Sequence, residues 1–213
     1  MSLPASANPP PFVRGLRVGL FGGSFNPPHE GHRAASLLAL RRLQLHRIWW
    51  LVSPANPLKD RRELASLAER VDAARKISQH PRIKITALEA AIGSTYTYQT
   101  ITYLKRRCPG VHFVWLMGAD NFRAFDRWQR WREIARLVPI AIIDRPGSTL
   151  TAPHGRAAEA LAPYRRDETD GGLLAMASPP AFMFLHGPRS TMSSTELREK
   201  PRTMGTEGGK QTV

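Results

Sequence analysis

Apolar residues run along this chain in two rhythms. Unbroken apolar runs rich in β-formers occur at Leu16–Phe21, Arg47–Ser53 (RIWWLVS), Val111–Met117 (VHFVWLM), Pro139–Asp144 (PIAIID) and Ala181–His186 (AFMFLH), and each reads as a buried strand. Arg82–Thr86 (RIKIT) alternates polar and apolar instead, which suits a strand near an edge. Between these runs the spacing turns helical. Ala34, Leu37, Leu38 and Leu45 predict a helix that starts at His29 or Glu30. Leu64, Leu67, Val71, Ala74 and Ile77 predict another over Glu63–His80, and Ile101 and Leu104 lie inside one that follows Ser94–Tyr98. Phe122, Phe125, Trp128, Trp131 and Ile134 recur every third residue and are mostly core positions. The pattern weakens over residues 148–180, where prolines, glycines and mixed charges surround one short helix, Gly155–Leu161. That stretch is expected to be the least ordered part of the domain.

Composition narrows the possibilities. A length of 213 residues suits one domain with a substantial core, flanked by a proline-rich flexible leader (1–14) and a polar flexible tail (200–213), leaving 15–199 as the folded unit. Lys and Arg outnumber Asp and Glu by 31 to 17, a net charge of +14 that favours anionic partners. The basic residues are scattered, with no run of five or six, which argues against a nucleic-acid-binding tail. Cys108 is the only cysteine, so no internal disulfide can form, as suits a reducing cytoplasm. No segment resembles a signal peptide or reaches membrane-spanning length.

The chemistry concentrates in Val18–His32 (VGLFGGSFNPPHEGH). A strand feeding Gly22-Gly23 and then a helix start aims backbone N–H groups and a positive helix end at one point, a seat for phosphate. His29 and His32, three apart in the first helical turn, share a face and can both donate to a phosphoryl oxygen. The bland alternative is a tight turn with one capping histidine and one surface histidine. No G-x-x-x-x-G-K-[ST] and no G-x-G-x-x-G is present, so P-loop kinases and nicotinamide-dependent dehydrogenases are poor candidates.

Gly22-Gly23-Ser24-Phe25-Asn26-Pro27-Pro28-His29-Glu30-Gly31-His32 resembles the G-x-F-[DN]-P-x-H-x-G-H signature of the nucleotidylyltransferase superfamily, and within it the bacterial nicotinate-nucleotide adenylyltransferases. Asn26 stands where Asp is commoner. Ser193-Ser194-Thr195-Glu196-Leu197-Arg198 is similar to the second signature of the family, I-S-S-T-x-[IL]-R, and the likeness spans Leu16 to Arg198. Together with the strand–helix alternation it implies an α/β, Rossmann-like, doubly wound and mainly parallel sheet with helices on both faces in a single domain.

The resemblance further implies catalytic roles for His32, at the α-phosphate, and His29, at the other ATP phosphates. It implies ATP contacts from Gly22, Gly23, Ser24, Phe25, Asp120, Ser193, Ser194, Thr195 and Arg198, with Asp120 of Gly118-Ala119-Asp120 on the ribose. For the mononucleotide it implies Ser24, Lys59 of Pro54-Ala55-Asn56-Pro57-Leu58-Lys59, Tyr96, Thr97 and a stacking Trp128. The partners implied are ATP and nicotinate mononucleotide, with Mg2+ arriving on ATP and no metal site of the protein's own; no nucleic acid and no membrane are expected. Thr or Ser at the start of the helix that Ser94–Tyr98 leads into also reads as an ordinary N-cap, and so does Asp120 in its own helix. Two alternatives stand beside this reading. A pantetheine-phosphate adenylyltransferase would not need the aromatic Tyr96 and Trp128, and a basic nucleic-acid-binding module would use the glycines only to grip backbone phosphate.

Overall fold

The computed structural model describes residues 8–54, 64–143 and 155–187. Six parallel strands, β1 (Arg17–Gly23), β2 (Arg47–Val52), β3 (Ile83–Thr86), β4 (His112–Gly118), β5 (Ile140–Ile143) and β6 (Phe182–Leu185), form one sheet in the order β3-β2-β1-β4-β5-β6. The chain winds outward from β1 through β2 to β3, then returns to the other side of β1 for β4, β5 and β6. This is the expected Rossmann-like doubly wound arrangement, and its direction reverses between β1 and β4.

Helices cover both faces. On one lie α1 (Glu30–Arg42), α2 (Leu67–Ser78) and a 3-10 segment, Glu168–Met176; on the other lie α3 (Leu88–Ala91), α4 (Thr97–Arg107), α5 (Ala119–Arg123), α6 (Trp131–Leu137) and α7 (Arg156–Leu161). Because side chains alternate along a strand, the consecutive Trp49 and Trp50 enter opposite core layers. Trp50 donates its indole N–H to Ser36 Oγ on α1 at 2.8 Å, which satisfies a donor that burial removes from water.

Several boundaries differ from those the pattern predicts. Gly22 and Gly23 do not turn: they extend β1, opposite Leu51 and Val52. α1 stops at Arg42 and does not reach Leu45, because Gln44 takes a left-handed φ of 48°. Leu45 is nevertheless buried in the connection. α2 starts at Leu67, behind a capping box between Ser66 and Glu69, and ends at Ser78.

The stretch expected to be least ordered is folded from residue 155 onward. Leu161 of α7 and Leu174 are buried, and a Cβ on Gly171 would stand 2.6 Å from the Arg42 carbonyl oxygen, so glycine here permits close packing and is no sign of a loose loop. The leader also lies on the body from residue 8. Phe12 packs on the α4 side of the core, Arg47 donates to the Pro11 carbonyl at 2.9 Å, and the Gly15 N–H donates to Gly110 O at 2.7 Å. Both sheet edges, β3 and β6, are four residues long, and the Arg166 N–H donates to Phe182 O on the outer side of β6 at 2.8 Å. Among the described residues no helix is long and apolar enough to cross a membrane.

Candidate active site

The loop from β1 to α1 opens at the C-terminal edge of the sheet, beside the point where strand order reverses. Its backbone is fixed by packing. A Cβ on Gly22 would lie 2.6 Å from Trp115 Cη2, so the indole of β4 dictates glycine there. Phe25 takes the left-handed conformation, φ 48°, so the backbone turns here and not at Gly22-Gly23. Its ring pays for that geometry by stacking on Trp50 at 4.8 Å and 11° and meeting Phe21 edge-on at 5.9 Å. With the ring committed to the core, only the Phe25 backbone remains to face an anion. Asn26 is buried and its Oδ1 accepts the Ala65 N–H at 3.2 Å, an acceptor role that Asp or Asn fills equally, so the departure from the commoner Asp keeps the loop anchored.

His29 is the N-cap of α1: its Nδ1 accepts the Gly31 N–H at 3.1 Å. His32 Nδ1 in turn accepts the His29 N–H at 3.2 Å. With Nδ1 used as an acceptor, the neutral form of each ring carries its proton on Nε2. Both histidines therefore take part in the helix cap, as the bland reading had it for one of them. His32 also packs against Phe25, ring centroids 4.9 Å apart.

Sequence reasoning passed over Arg70. It lies on α2, where Leu67, Val71 and Ala74 mark the apolar side, and its side chain is buried. The guanidinium donates to Ala65 O at 2.9 Å, Ser24 O at 2.6 Å, Ser53 O at 2.7 Å and Pro54 O at 3.1 Å. Burial pulls its pKa below the ordinary arginine value, yet a guanidinium stays charged in a protein. The available signal was a long cation on the inward side of an amphipathic helix.

Across the reversal point, Trp115 links the loop to the second half of the domain. Trp128 meets Trp115 edge-on at 6.2 Å and Phe125 at 5.5 Å and is half-buried, whereas Trp131 is fully core. Asp120 lies in the first turn of α5 and is exposed; the N-cap is Gly118, so the capping alternative for Asp120 does not hold. α4 likewise lacks the expected Ser or Thr cap. Its N-cap is Tyr96, with no side-chain cap bond, and Thr97 is its first residue. Ser94 supports this start from below, donating to the Tyr96 carbonyl at 3.1 Å. Glu89, also missed from sequence, is buried beneath it; Thr100 Oγ1 donates to Glu89 Oε1 at 3.0 Å, and burial pushes the carboxyl up to about 7. The Arg130 guanidinium covers the Tyr98 ring at 4.0 Å, bringing the starts of α4 and α6 together.

Gly22 and Gly23 at the end of β1, Ser24 and Phe25 in the loop, and His29 and His32 at the start of α1 thus follow one another beside β4, with Asp120 just past the end of that strand, Trp128 against Trp115, and Tyr96 and Thr97 at the start of α4. Lys59, Ser193, Ser194, Thr195 and Arg198 lie outside the described residues.

Residues 20–200 match the model of the cytidylyltransferase-like family. A protein of Brucella suis biovar 1 is 55% identical over 184 residues, 86% of this chain and 95% of its own length, and one of Methylorubrum extorquens is 56% identical over 185 residues, 87% of this chain and 100% of its own; both carry the name "Probable nicotinate-nucleotide adenylyltransferase". The chain belongs to the nicotinate-nucleotide adenylyltransferase family. The fold of the family extends to distant members. A Plasmodium falciparum nicotinic acid mononucleotide adenylyltransferase complexed with NaAD superposes with a TM-score of 0.62 at 19% identity, covering 86% of this chain and 83% of its own.

Proposed function

We propose that this member of the family transfers the adenylyl group of ATP to nicotinate mononucleotide, giving nicotinate adenine dinucleotide and pyrophosphate, a step of NAD synthesis in the cytoplasm. Support comes chiefly from the paired histidines at the start of α1, whose cap bonds occupy Nδ1 and assign the proton to Nε2. The 5′-phosphate of the mononucleotide is ionised near neutral pH and attacks the α-phosphorus directly. One O–P bond forms, the bond to the bridging oxygen breaks, and pyrophosphate leaves with the electron pair. No protein nucleophile or base is required, so positioning and charge neutralisation carry the rate.

His32 Nε2–H serves the α-phosphate, where negative charge spreads in the transition state, and His29 serves the neighbouring phosphates. Ser24 and the backbone of Gly23 and Phe25 seat the reacting phosphates, Asp120 accepts from ribose hydroxyls, and Lys59, Ser193, Ser194, Thr195 and Arg198 hold polyphosphate and the attacking group. Trp128 stacks on the pyridine ring, and the uncapped N–H groups at Tyr96 and Thr97 suit its carboxylate. Among the described residues no group of three or more His, Cys, Asp or Glu could hold a metal. Mg2+ would arrive on the phosphate oxygens of ATP and water, where it would neutralise polyphosphate charge.

The test is pyrophosphate release from ATP with nicotinate mononucleotide, nicotinamide mononucleotide or 4′-phosphopantetheine as acceptor. Turnover with the first and not the last supports the reading. Turnover with phosphopantetheine alone overturns it.

A further inference from the structure

We propose that Arg70 is a positioning residue for adenylyl transfer, one that sets the orientation of the phosphate loop and supplies a buried positive charge behind it. This rests on the adenylyl-transfer reading above. All four hydrogen bonds of the guanidinium run to backbone carbonyls, and those carbonyls belong to three separate pieces of the site: Ser24 in the β1–α1 loop, Ser53 and Pro54 where β2 ends, and Ala65 just before α2. Ser53 is already tied to β1 by its N–H, which donates to Gly23 O at 3.0 Å. The planar fork therefore locks the ends of β1 and β2 to α2 at one depth, which a single-headed cation cannot do.

Two consequences follow for the chemistry. In a trans peptide the N–H points opposite the carbonyl, so drawing the Ser24 carbonyl onto Arg70 turns the Phe25 N–H the other way, off the buried side. That places the Phe25 amide, already held at a left-handed φ of 48°, among the donors available to an anion. Second, among the described residues the Arg70 guanidinium meets backbone carbonyl dipoles and no Asp or Glu. A polyphosphate in the loop would lie within reach of the field of this buried cation. A fixed cation in a water-poor setting acts on developing charge more strongly than a solvated surface lysine does.

The experiment compares wild type, Arg70→Met and Arg70→Lys in melting temperature, in kcat and KM for both substrates, and in equilibrium binding of two non-reacting probes, tripolyphosphate and nicotinic acid riboside. Arg70→Met is expected to lower kcat by about 100-fold and weaken tripolyphosphate by about tenfold, with riboside binding held within about twofold. Arg70→Lys keeps the charge and loses the fork; it is expected to restore tripolyphosphate binding while kcat stays about tenfold low. Arg70→Met turning over within about threefold of wild type overturns the proposal, and so does an equal loss of both probes that follows the fall in melting temperature. Should Arg70→Met fail to fold, Arg70→Lys decides alone, and an unchanged kcat overturns. Absence of pyrophosphate release by wild type would defeat the adenylyl-transfer reading, while the tripolyphosphate comparison would still report on Arg70.

Discussion

His29 and His32 hold each other in place. Their ring centroids are 3.9 Å apart with the planes tilted by 48°, and each Nδ1 accepts a backbone N–H, that of Gly31 for His29 and that of His29 for His32. One arrangement starts the helix and fixes the tautomer that leaves Nε2–H as a donor.

Replacing His32 by Ala removes one cap acceptor, a ring contact with Phe25 and the Nε2–H donor proposed for the α-phosphate. The cap is worth about 1 kcal/mol, a small part of the stability of a domain this size. A lost transition-state donor costs at least 100-fold in turnover, roughly 2.7 kcal/mol or more. His32→Ala is therefore expected to melt within a few degrees of wild type while kcat falls beyond 100-fold, as measured by steady-state pyrophosphate release; turnover near wild type would remove the assignment.

Gly22→Ala tests the contact with Trp115. Its Cβ has no room at 2.6 Å from the ring, so Trp115 must shift, and Trp128, edge-on to it, shifts too. Denaturant melts should show a loss of about 1–3 kcal/mol, and KM for the mononucleotide should rise more than KM for ATP.

The two tryptophans after α5 should part company. Trp131 is core against Phe125, and its replacement by Ala is expected to cost about 3–5 kcal/mol in chemical unfolding. Trp128→Ala, at a half-buried position, should keep most of the stability and raise KM for nicotinate mononucleotide by about tenfold. Equal effects on KM from both would argue against stacking by Trp128.

Glu89 makes stability depend on pH. Its carboxyl is raised from 4.5 to about 7 by burial, against the opposing hydrogen bond from Thr100. Between those values the native state holds a proton that the unfolded chain has released, so stability falls as pH rises from about 4.5 to 7 and levels off above, by roughly 3 kcal/mol at most. Glu89→Gln has nothing to release. Relative to wild type it is expected to gain stability between pH 5 and pH 8, as read from urea melts at both.

The strands were legible because a parallel sheet covered on both faces needs runs such as RIWWLV and HFVWLM, which few other structures require. The histidine pair was legible because its three-residue spacing is that of a capping box, although His29 sits at the N-cap with extended backbone and not in the first helical turn. Other features depend on partners far along the chain. Gly22 is glycine because of Trp115, which no local pattern announces. The left-handed residue is Phe25, a type that rarely takes that conformation and does so here because Trp50 receives its ring. Arg70 looked like one more charge on an amphipathic helix, and only the folded chain brings four carbonyls to it. The short helix expected at Gly155–Leu161 is present as α7, whereas residues 162–180 were misread because their glycines and prolines, taken as signs of disorder, permit 3-10 turns that pack closely on the end of α1.

The short margins of the sheet also bear on how copies of this protein meet. A four-residue β6 with one of its carbonyls already taken by Arg166 presents little open ladder to a visiting strand. Crowded molecules of this enzyme are therefore poorly equipped to stitch their sheets into continuous fibrils.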